Sequence, residues 1–160
     1  MSPKIRAAAP ADLATILGLI QALADYEKMS DEVVATEDLL RRALFPAAGA
    51  APDAHCVIAE ADGVAAGFAL YFFNFSTFLA RPGLYLEDLF VRPEFRGRGI
   101  GKALLLHLAK LANARGCGRM EWTVLDWNQP AIEFYESIGA KRMKAWQICR
   151  LTGETLRQYA

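Results

Sequence analysis

A glycine-rich run is the part of this sequence whose residue types and spacing most clearly suggest chemistry. It reads Arg96-Gly97-Arg98-Gly99-Ile100-Gly101-Lys102 and holds three alternate glycines. Glycines at this spacing let several backbone N–H groups converge on one point, and the N-terminus of a following helix adds partial positive charge. With the side chains of Arg96, Arg98 and Lys102 nearby, the run predicts a site for a phosphate or a diphosphate.

The spacing of this run argues against two familiar phosphate-binding motifs. A nucleotide-triphosphatase loop needs four residues between its first glycine and the Gly-Lys pair, and Ser or Thr after the lysine. Here only three residues separate Gly97 from Gly101, and Ala103 follows Lys102. The dinucleotide fingerprint GxGxxG also fails, because the third glycine comes one residue early and no N-terminal βαβ unit precedes it. A tight strand-to-helix turn without a ligand remains open as the structural alternative.

The hydrophobic pattern around the run predicts the elements that position it. Asp62-Gly63 is typical of a hairpin turn, Thr36 of a helix cap, and Gly116 of a helix end. Strand-helix alternation after an antiparallel start predicts an α/β fold, with a mixed sheet and helices on both faces. The predicted strands are 3–8, 54–60, 64–75, 84–91, 119–125 and 145–151. The predicted helices are 36–45, 101–115, 129–138 and a first helix that begins at residue 10 and ends between residues 26 and 29.

Length and charge restrict the function further. A chain of 160 residues fits one domain, expected to span residues 1–160. The chain carries 18 acidic and 18 basic side chains, so any attraction for an anion must come from a local cluster, and nucleic-acid binding is not expected. No secretory signal or membrane-spanning run is recognisable, which predicts a protein that does not enter a membrane.

The cysteines and histidines suggest neither a disulfide framework nor a metal site. Cys56, Cys117 and Cys149 are odd in number and lack CxxC spacing. His55 and His107 lack the spacing of metal ligands. We therefore expect a cytoplasmic protein without a bound metal.

The glycine-rich run also carries a resemblance to a known family. Residues 96–101 resemble the (R/Q)-x-x-G-x-(G/A) signature of the GNAT superfamily of acyl-CoA transferases, and they lie between strand and helix as that family requires. Residues 85–91 and 127–135 resemble segments of the diamine (spermidine/spermine and thialysine) acetyltransferases, and residues 23–29 resemble their N-terminal substrate segment. The resemblance covers nearly the whole chain. It implies a mostly antiparallel GNAT sheet whose central strand pair splays apart.

The resemblance implies acetyl-CoA as the co-substrate. The main chain at the end of the central strand would pair with the pantetheine arm, the glycine-rich run would hold the pyrophosphate, and residues from Asn128 onward would contact the cofactor from its other side. The cofactor residues implied in this way are Leu89, Phe90, Val91, Arg96, Gly97, Arg98, Gly99, Ile100, Gly101, Lys102, Asn128, Pro130, Ala131 and Tyr135.

The implied reaction is direct attack by an amine in a ternary complex. An alkyl ammonium with a pKa near ~10.4 must lose a proton before it can attack, and Glu87 is the candidate base, directly or through water. Strand alternation would place Asp88 on the opposite face from Glu87. A backbone N–H near Phe90 could stabilise the charge on the thioester oxygen. Tyr135 matches the tyrosine that protonates the departing thiolate in the family.

The acceptor is expected to be a small cationic amine. Tyr26, Glu27, Glu87 and Asp88 would give its pocket an acidic and aromatic character. Thr77 stands where the polyamine enzymes usually carry an acid, and the loop 140–145 is basic where they carry further acids. Because both changes disfavour a long polycation, we expect a shorter amine, such as thialysine or a lysine-like amino acid, rather than spermine.

Two other functions stay open at this point. A non-catalytic acyl-CoA sensor would share the fold and the cofactor cradle, and so would an enzyme that acetylates proteins. The related family commonly forms dimers through its C-terminal strands, so residues 145–151 predict a homodimer.

Overall fold

Five strands form one sheet in the computed structural model, which describes residues 3–160. Neighbouring strands follow chain order and pair antiparallel, except for the last pair, which is parallel. The mixed, mostly antiparallel sheet predicted from the sequence is thereby confirmed. The strands are β1 (Lys4–Ala7), β2 (His55–Ala61), β3 (Val64–Ser76), β4 (Arg81–Val91) and β5 (Arg119–Glu121).

Helices precede, follow and connect these strands. They are α1 (Leu13–Tyr26), α2 (Glu37–Leu44), α3 (Ile100–Ala114), α4 (Gln129–Ser137) and α5 (Gly153–Arg157). Short 3-10 turns lie at Pro10–Asp12, Ser30–Glu32 and Pro93–Phe95. The chain divides into two compact units, the first ending at Thr123 and the second running from Val124 to Ala160. No helix between residues 3 and 160 is long and apolar enough to cross a membrane.

The core of the first unit has a layer on each face of the sheet. One layer joins α1 and α2 to β2, β3 and β4 through a buried cluster made of Ile16, Leu19, Leu44, Cys56, Ile58, Phe68 and Phe90. On the other face, the first turn of α3 lies against β4, because Gly101 is close to the side chains of Leu89 and Val91. Since Phe90 alternates with Leu89 and Val91 along β4, the two layers cover opposite faces.

Two local features predicted from the sequence are confirmed. Thr36 caps α2, because its side-chain oxygen accepts a hydrogen bond from the Leu39 N–H at 3.2 Å. Asp62 and Gly63 form the tight turn between β2 and β3, with φ angles of +53° and +79°. Both positions need the left-handed conformation, which Asp tolerates and Gly adopts without strain.

The start of β4 differs from the prediction. The strand predicted over 84–91 begins three residues earlier, at Arg81. Gly83 pairs with Asn74 on β3, and a Cβ added to Gly83 would crowd the side-chain amide of Asn74, which would have to shift. The glycine therefore marks a close approach inside the sheet and not a turn.

The C-terminal part of the prediction was wrong in two places. The strand expected at 119–125 ends at Glu121, and the strand expected at 145–151 does not form. A strand needs a neighbour for its backbone groups, and in the part of the chain that the structure describes no strand pairs with 145–151. Helix α5 was not predicted, although Glu154 in its first turn and Arg157 in its last turn suit a helix dipole.

Candidate active site

The glycine-rich run forms the turn that joins β4 to α3. Gly97 and Gly99 have φ angles of +74° and +75°, and Gly99 is the N-cap of the helix. A Cβ at either position would meet nothing within 4 Å, so the backbone conformation, and not lack of space, calls for glycine. The first N–H groups of α3 have no partner within the helix and point toward this turn, which suits them to an anion.

Arg98 is engaged on the protein rather than aimed into the turn. Its two terminal nitrogens donate to both carboxylate oxygens of Asp62, at 2.7 Å and 3.1 Å. The hydrogen bond from Arg98 lowers the pKa of the Asp62 carboxyl. The guanidinium also lies over the Phe95 ring, 5.3 Å from its centroid. The sequence signal of Asp62 predicted only a turn, so this anchor of the glycine-rich run was missed.

Arg96 is also held by protein groups. Its Nε donates to the Val91 carbonyl at 3.0 Å, and its guanidinium carbon lies 4.7 Å from the Tyr26 ring centroid and 5.5 Å from the Phe90 ring centroid. Of the three cations predicted to surround a phosphate, Arg96 and Arg98 are therefore both placed on protein partners. Lys102 is exposed on the first turn of α3.

One edge of β4 is open beside this turn. The pairing of β4 with β5 covers Gly83–Tyr85, and no strand of residues 3–160 continues along that edge toward Val91. The ladder between β4 and β5 therefore ends at Tyr85, and the backbone edge of the rest of β4 has no strand partner among residues 3–160.

The hydrogen-bond phase of the β3–β4 ladder shows which groups face the open edge. Arg92 donates to the Ala66 carbonyl at 2.9 Å, and the register then pairs Val91 with Gly67 and Phe90 with Phe68. Bonded and non-bonded pairs alternate in an antiparallel ladder, so the N–H of Phe90 points to β3 and the N–H groups of Leu89 and Val91 point to the open edge. The backbone donor expected near Phe90 is therefore better sought at Leu89 or Val91.

Glu87 lies at a bulge in β4. Asp88 pairs with Leu70 and Leu86 pairs with Tyr71, so Glu87 is an additional residue opposite the step from Leu70 to Tyr71. Its side chain is exposed. Because a bulge interrupts regular alternation, the strict in-and-out argument that separated Glu87 from Asp88 does not apply at this point of the strand.

Asp88 has the most perturbed carboxyl group near the open edge. It is partly buried, and this burial, together with the charges of Glu87 and Glu27, raises its pKa to about 6. Burial also raises the pKa of Glu27, which follows the last residue of α1. The structure therefore brings Glu27, Glu87 and Asp88 into one acidic neighbourhood. In the described residues, no group of three His, Cys, Asp or Glu side chains is arranged to hold a metal ion.

Asn128 and Tyr135 belong to the second unit. Asn128 caps α4, because its Oδ1 accepts a hydrogen bond from the Ala131 N–H at 3.4 Å, and Pro130 occupies the first turn. Tyr135 is partly buried on the same helix, and its ring lies 5.4 Å from the Phe134 ring, centroid to centroid. The sequence prediction of a helix over these residues is confirmed.

Thr77 lies far along the hairpin from the acidic neighbourhood. It is exposed in the turn after β3, where its carbonyl accepts a hydrogen bond from Ala80 at 3.3 Å. An extended strand from Tyr71, beside the bulge, would place Thr77 about 20 Å away along β3. Within one chain, the structure does not bring Thr77 next to Glu87.

Comparison with known proteins adds information that the geometry alone does not contain. A protein-family model described as "Acetyltransferase (GNAT) family" matches residues 19–140. The thialysine N-epsilon-acetyltransferase of Bos taurus is 40% identical over 98% of this chain and 96% of its own length. The L-ornithine N5-acetyltransferase of Arabidopsis thaliana is 53% identical over 59% of this chain and 42% of its own length.

A solved structure supports the same fold. An integron cassette protein from the mobile metagenome of V. cholerae superposes with a TM-score of 0.79 at 28% identity, and the match covers 99% of this chain and 98% of that one.

Proposed function

The chain belongs to the GNAT family of acetyltransferases, and from this premise we propose that it transfers an acetyl group from acetyl-CoA to the primary amine of a small cationic acceptor. The proposal treats residues 1–160 as one acetyltransferase domain, because the family match at 19–140 crosses the boundary between the two compact units. It places the enzyme in the cytoplasm, where free thiols such as those of Cys56, Cys117 and Cys149 stay reduced.

A single arrangement carries this proposal: an anion-binding turn directly beside an open strand edge. The left-handed Gly97 and Gly99 at the start of α3 suit the pyrophosphate, and the N–H groups of Leu89 and Val91 on the open edge suit the amides of the pantetheine arm. The two features adjoin at Val91. A molecule that needs both has a diphosphate attached to an extended amide chain, which describes CoA.

The proposed chemistry uses side chains and backbone without a metal. Glu87 would take the proton of the acceptor ammonium, directly or through water, so that the neutral amine can attack the thioester carbonyl. The Leu89 N–H would donate to the carbonyl oxygen as that oxygen gains negative charge. Tyr135 would give its proton to the departing sulfur. The acetyl group passes directly from sulfur to nitrogen: the N–C bond forms and the C–S bond breaks. One proton of the ammonium leaves through Glu87, and the second, lost as the amide forms, replaces the proton that Tyr135 gave to the sulfur.

The proposed acceptor is an amino acid with a side-chain amine. Two relatives act by name on thialysine and on L-ornithine, and both of these molecules fit that description. Tyr26 and Glu27 would supply an aromatic and acidic wall near the transferred amine. Thr77 would contact only the far part of a longer acceptor, and it offers no charge to a second ammonium.

An amine panel tests the proposal. Purified protein is incubated with acetyl-CoA and each of thialysine, ornithine, lysine, spermidine and spermine, and CoA release is followed with a thiol reagent while mass spectrometry identifies the product. We expect turnover with the amino acids at least tenfold above that with spermine. Strong preference for spermine would contradict the acceptor class. Tight acetyl-CoA binding without transfer to any amine would favour an acyl-CoA sensor. Transfer only to the lysines of proteins would favour a protein-acetylating enzyme.

We also propose that the enzyme is a homodimer. Residues 145–151 carry two large apolar side chains two positions apart, Trp146 and Ile148, which are 78% and 68% exposed. Exposed large apolar side chains favour burial against another chain, and a second copy is the partner that the related family suggests.

A further inference from the structure

We propose that Arg96 positions the acceptor-binding segment at the end of α1, and so couples the acceptor pocket to the glycine-rich run. This inference deepens the proposed function and rests on it for the identity of the acceptor pocket. It also revises the role expected from the sequence, which assigned Arg96 to the pyrophosphate.

The contacts of Arg96 reach in two directions. Its Nε donates to the Val91 carbonyl at 3.0 Å, which fixes the side chain on the last residue of β4. Its guanidinium then lies over Tyr26, 4.7 Å from the ring centroid, and near the Phe90 ring at 5.5 Å. A cation within about 6 Å of an aromatic centroid is attracted to the ring face. One side chain therefore joins the end of α1 to the end of β4.

The segment held in this way has its own reason to need a tether. Helix α1 ends at Tyr26, and Lys28 follows in the left-handed region with a φ of +61°, which is costly for a residue with a side chain. The N–H groups of Lys28 and Met29 donate to the Asp25 and Ala24 carbonyls and cap the helix locally, so a contact from Arg96 would add to this cap. The chain then turns through Ser30–Glu32, where every residue is exposed. Such a helix end is a place where fraying begins, and a contact from another element restrains it.

The position of this segment matters for the acidic neighbourhood. Glu27 directly follows Tyr26, and its charge helps to raise the pKa of Asp88 on β4. A shift of the Tyr26 ring would carry Glu27 with it and change the distance between these carboxylates. The acceptor ammonium would then meet a less well-placed partner, whereas the glycines that bind the pyrophosphate would keep their conformation.

Arg98 provides a contrast within the same turn. Its guanidinium is paired with Asp62 on the β2–β3 turn and lies over Phe95, so its contacts lead away from α1. Arg96 and Arg98 are two residues apart and both exposed, and both were predicted to serve the cofactor. Their proposed roles differ only because their guanidinium groups contact different residues.

Steady-state kinetics of Arg96→Gln and Arg98→Gln tests the proposal. Glutamine can still donate to the Val91 carbonyl, but it removes the cation from the Tyr26 ring. We expect Arg96→Gln to raise the acceptor KM about tenfold while the acetyl-CoA KM changes less than about threefold, as loss of a cation–π contact and not of a phosphate ligand predicts. Arg98→Gln should leave the ratio of the two KM values unchanged or raise the acetyl-CoA KM. The opposite pattern for Arg96→Gln would make it a phosphate ligand and overturn the proposal.

Two further variants connect the effect to the ring. Arg96→Lys keeps the charge and should recover part of the lost acceptor affinity. Tyr26→Leu removes the ring and should raise the acceptor KM by itself. In the double variant with Arg96→Gln, it should raise the acceptor KM by a smaller factor, because both changes remove the same contact. Full additivity of the two variants would contradict a shared contact.

A measurement without turnover keeps this inference distinct from the proposed function. Hydrogen–deuterium exchange is followed by mass spectrometry in the absence of cofactor and acceptor. Arg96→Gln should speed exchange in residues 24–32 at least threefold, whereas Arg98→Gln should act near residues 61–63 instead. If the wild type acetylates no amine, the proposed function fails and the exchange still decides the tether. Unchanged exchange in residues 24–32 would refute the tether even in an active enzyme.

Discussion

Adjacent carboxylates on β4 experience different surroundings. Glu87 is exposed at the bulge, whereas Asp88 is partly buried, opposite Leu70 in the sheet. Loss of hydration disfavours the charged form, and Glu87 and Glu27 add like charge, so the pKa of Asp88 rises to about 6. A bound ammonium would relieve this repulsion, and we therefore propose that Asp88 contributes to the acceptor pocket.

The free energy of unfolding should report this burial. Folded Asp88 holds its proton to a higher pH than the unfolded chain does, so its contribution to stability falls as the pH rises from about 4 to about 7. We expect Asp88→Asn to remove that fall and to stabilise the protein at pH 7.5 by about 1 to 3 kcal/mol. Urea unfolding at several pH values measures the free energy of unfolding of the wild type and the variant.

The exposed Asp53 provides the control for this comparison. Asp53→Asn should leave the pH dependence of the wild type in place. If the free energy of unfolding depended on pH in the same way for the wild type and Asp88→Asn, burial of the Asp88 carboxylate would not be the cause of the pH dependence.

The hydroxyl group of Tyr135 is proposed to take part in the chemical step, as the proton donor to the departing sulfur. Tyr135→Phe keeps the ring on α4 and removes the hydroxyl, so we expect kcat to fall about a hundredfold while the affinity for acetyl-CoA changes by less than about threefold. Single-turnover kinetics and calorimetric titration with acetyl-CoA measure the two effects separately. Tyr159→Phe, at an exposed position near the C-terminus, is the matched control. A kcat close to that of the wild type would remove Tyr135 from the mechanism.

Helix α3 carries a glycine in the left-handed conformation at each end, and the two ends have different expected roles. Gly99 with φ +75° is the N-cap beside β4, and Gly116 with φ +69° follows the C-terminus. The helix has 15 residues, so these ends lie about 22 Å apart. Neither position has an atom within 4 Å of an added Cβ, so alanine would disturb only the backbone.

This symmetry allows a matched experiment on the helix. Gly99→Ala and Gly116→Ala should each lower the free energy of unfolding by about 1 kcal/mol, because alanine is strained at positive φ. Only Gly99→Ala should also weaken acetyl-CoA binding, by about tenfold or more, since it moves the N–H groups that would face the pyrophosphate. Equal loss of acetyl-CoA affinity in both variants, measured by calorimetry, would argue against a cradle at the N-terminus.

At the scale of the whole molecule, the exposed segment 145–151 concerns the oligomeric state. No strand among the described residues of one chain pairs with it. We expect light scattering to give twice the chain mass of 17.6 kDa. The double variant Trp146→Ser and Ile148→Ser should shift the population toward the monomer, because it removes apolar area that a second copy would cover. Val34→Ser, which changes an equally exposed apolar residue elsewhere, should keep the mass of the wild type. A monomeric wild type at micromolar concentration would contradict the homodimer.

The sequence by itself determined those features whose causes are local. The glycine spacing at 97–101, the Asp62-Gly63 turn, the Thr36 cap and the amphipathic pattern of α3 each depend on a few consecutive residues, and the structure forms all of them. The family signature depends on the same kind of local pattern, and it indicated the acetyltransferase class before any distance was known.

Only the tertiary structure decided which distant residues meet. The bulge at Glu87, the pairing of Arg98 with Asp62 and the stacking of Arg96 on Tyr26 each join positions far apart in the chain or depend on register between strands. The segment 145–151 was predicted to be a strand but forms none, because a strand requires a neighbour for its backbone groups, and the sequence of one segment does not specify that neighbour. Local propensity decides what a segment can form, whereas packing and pairing decide what it touches.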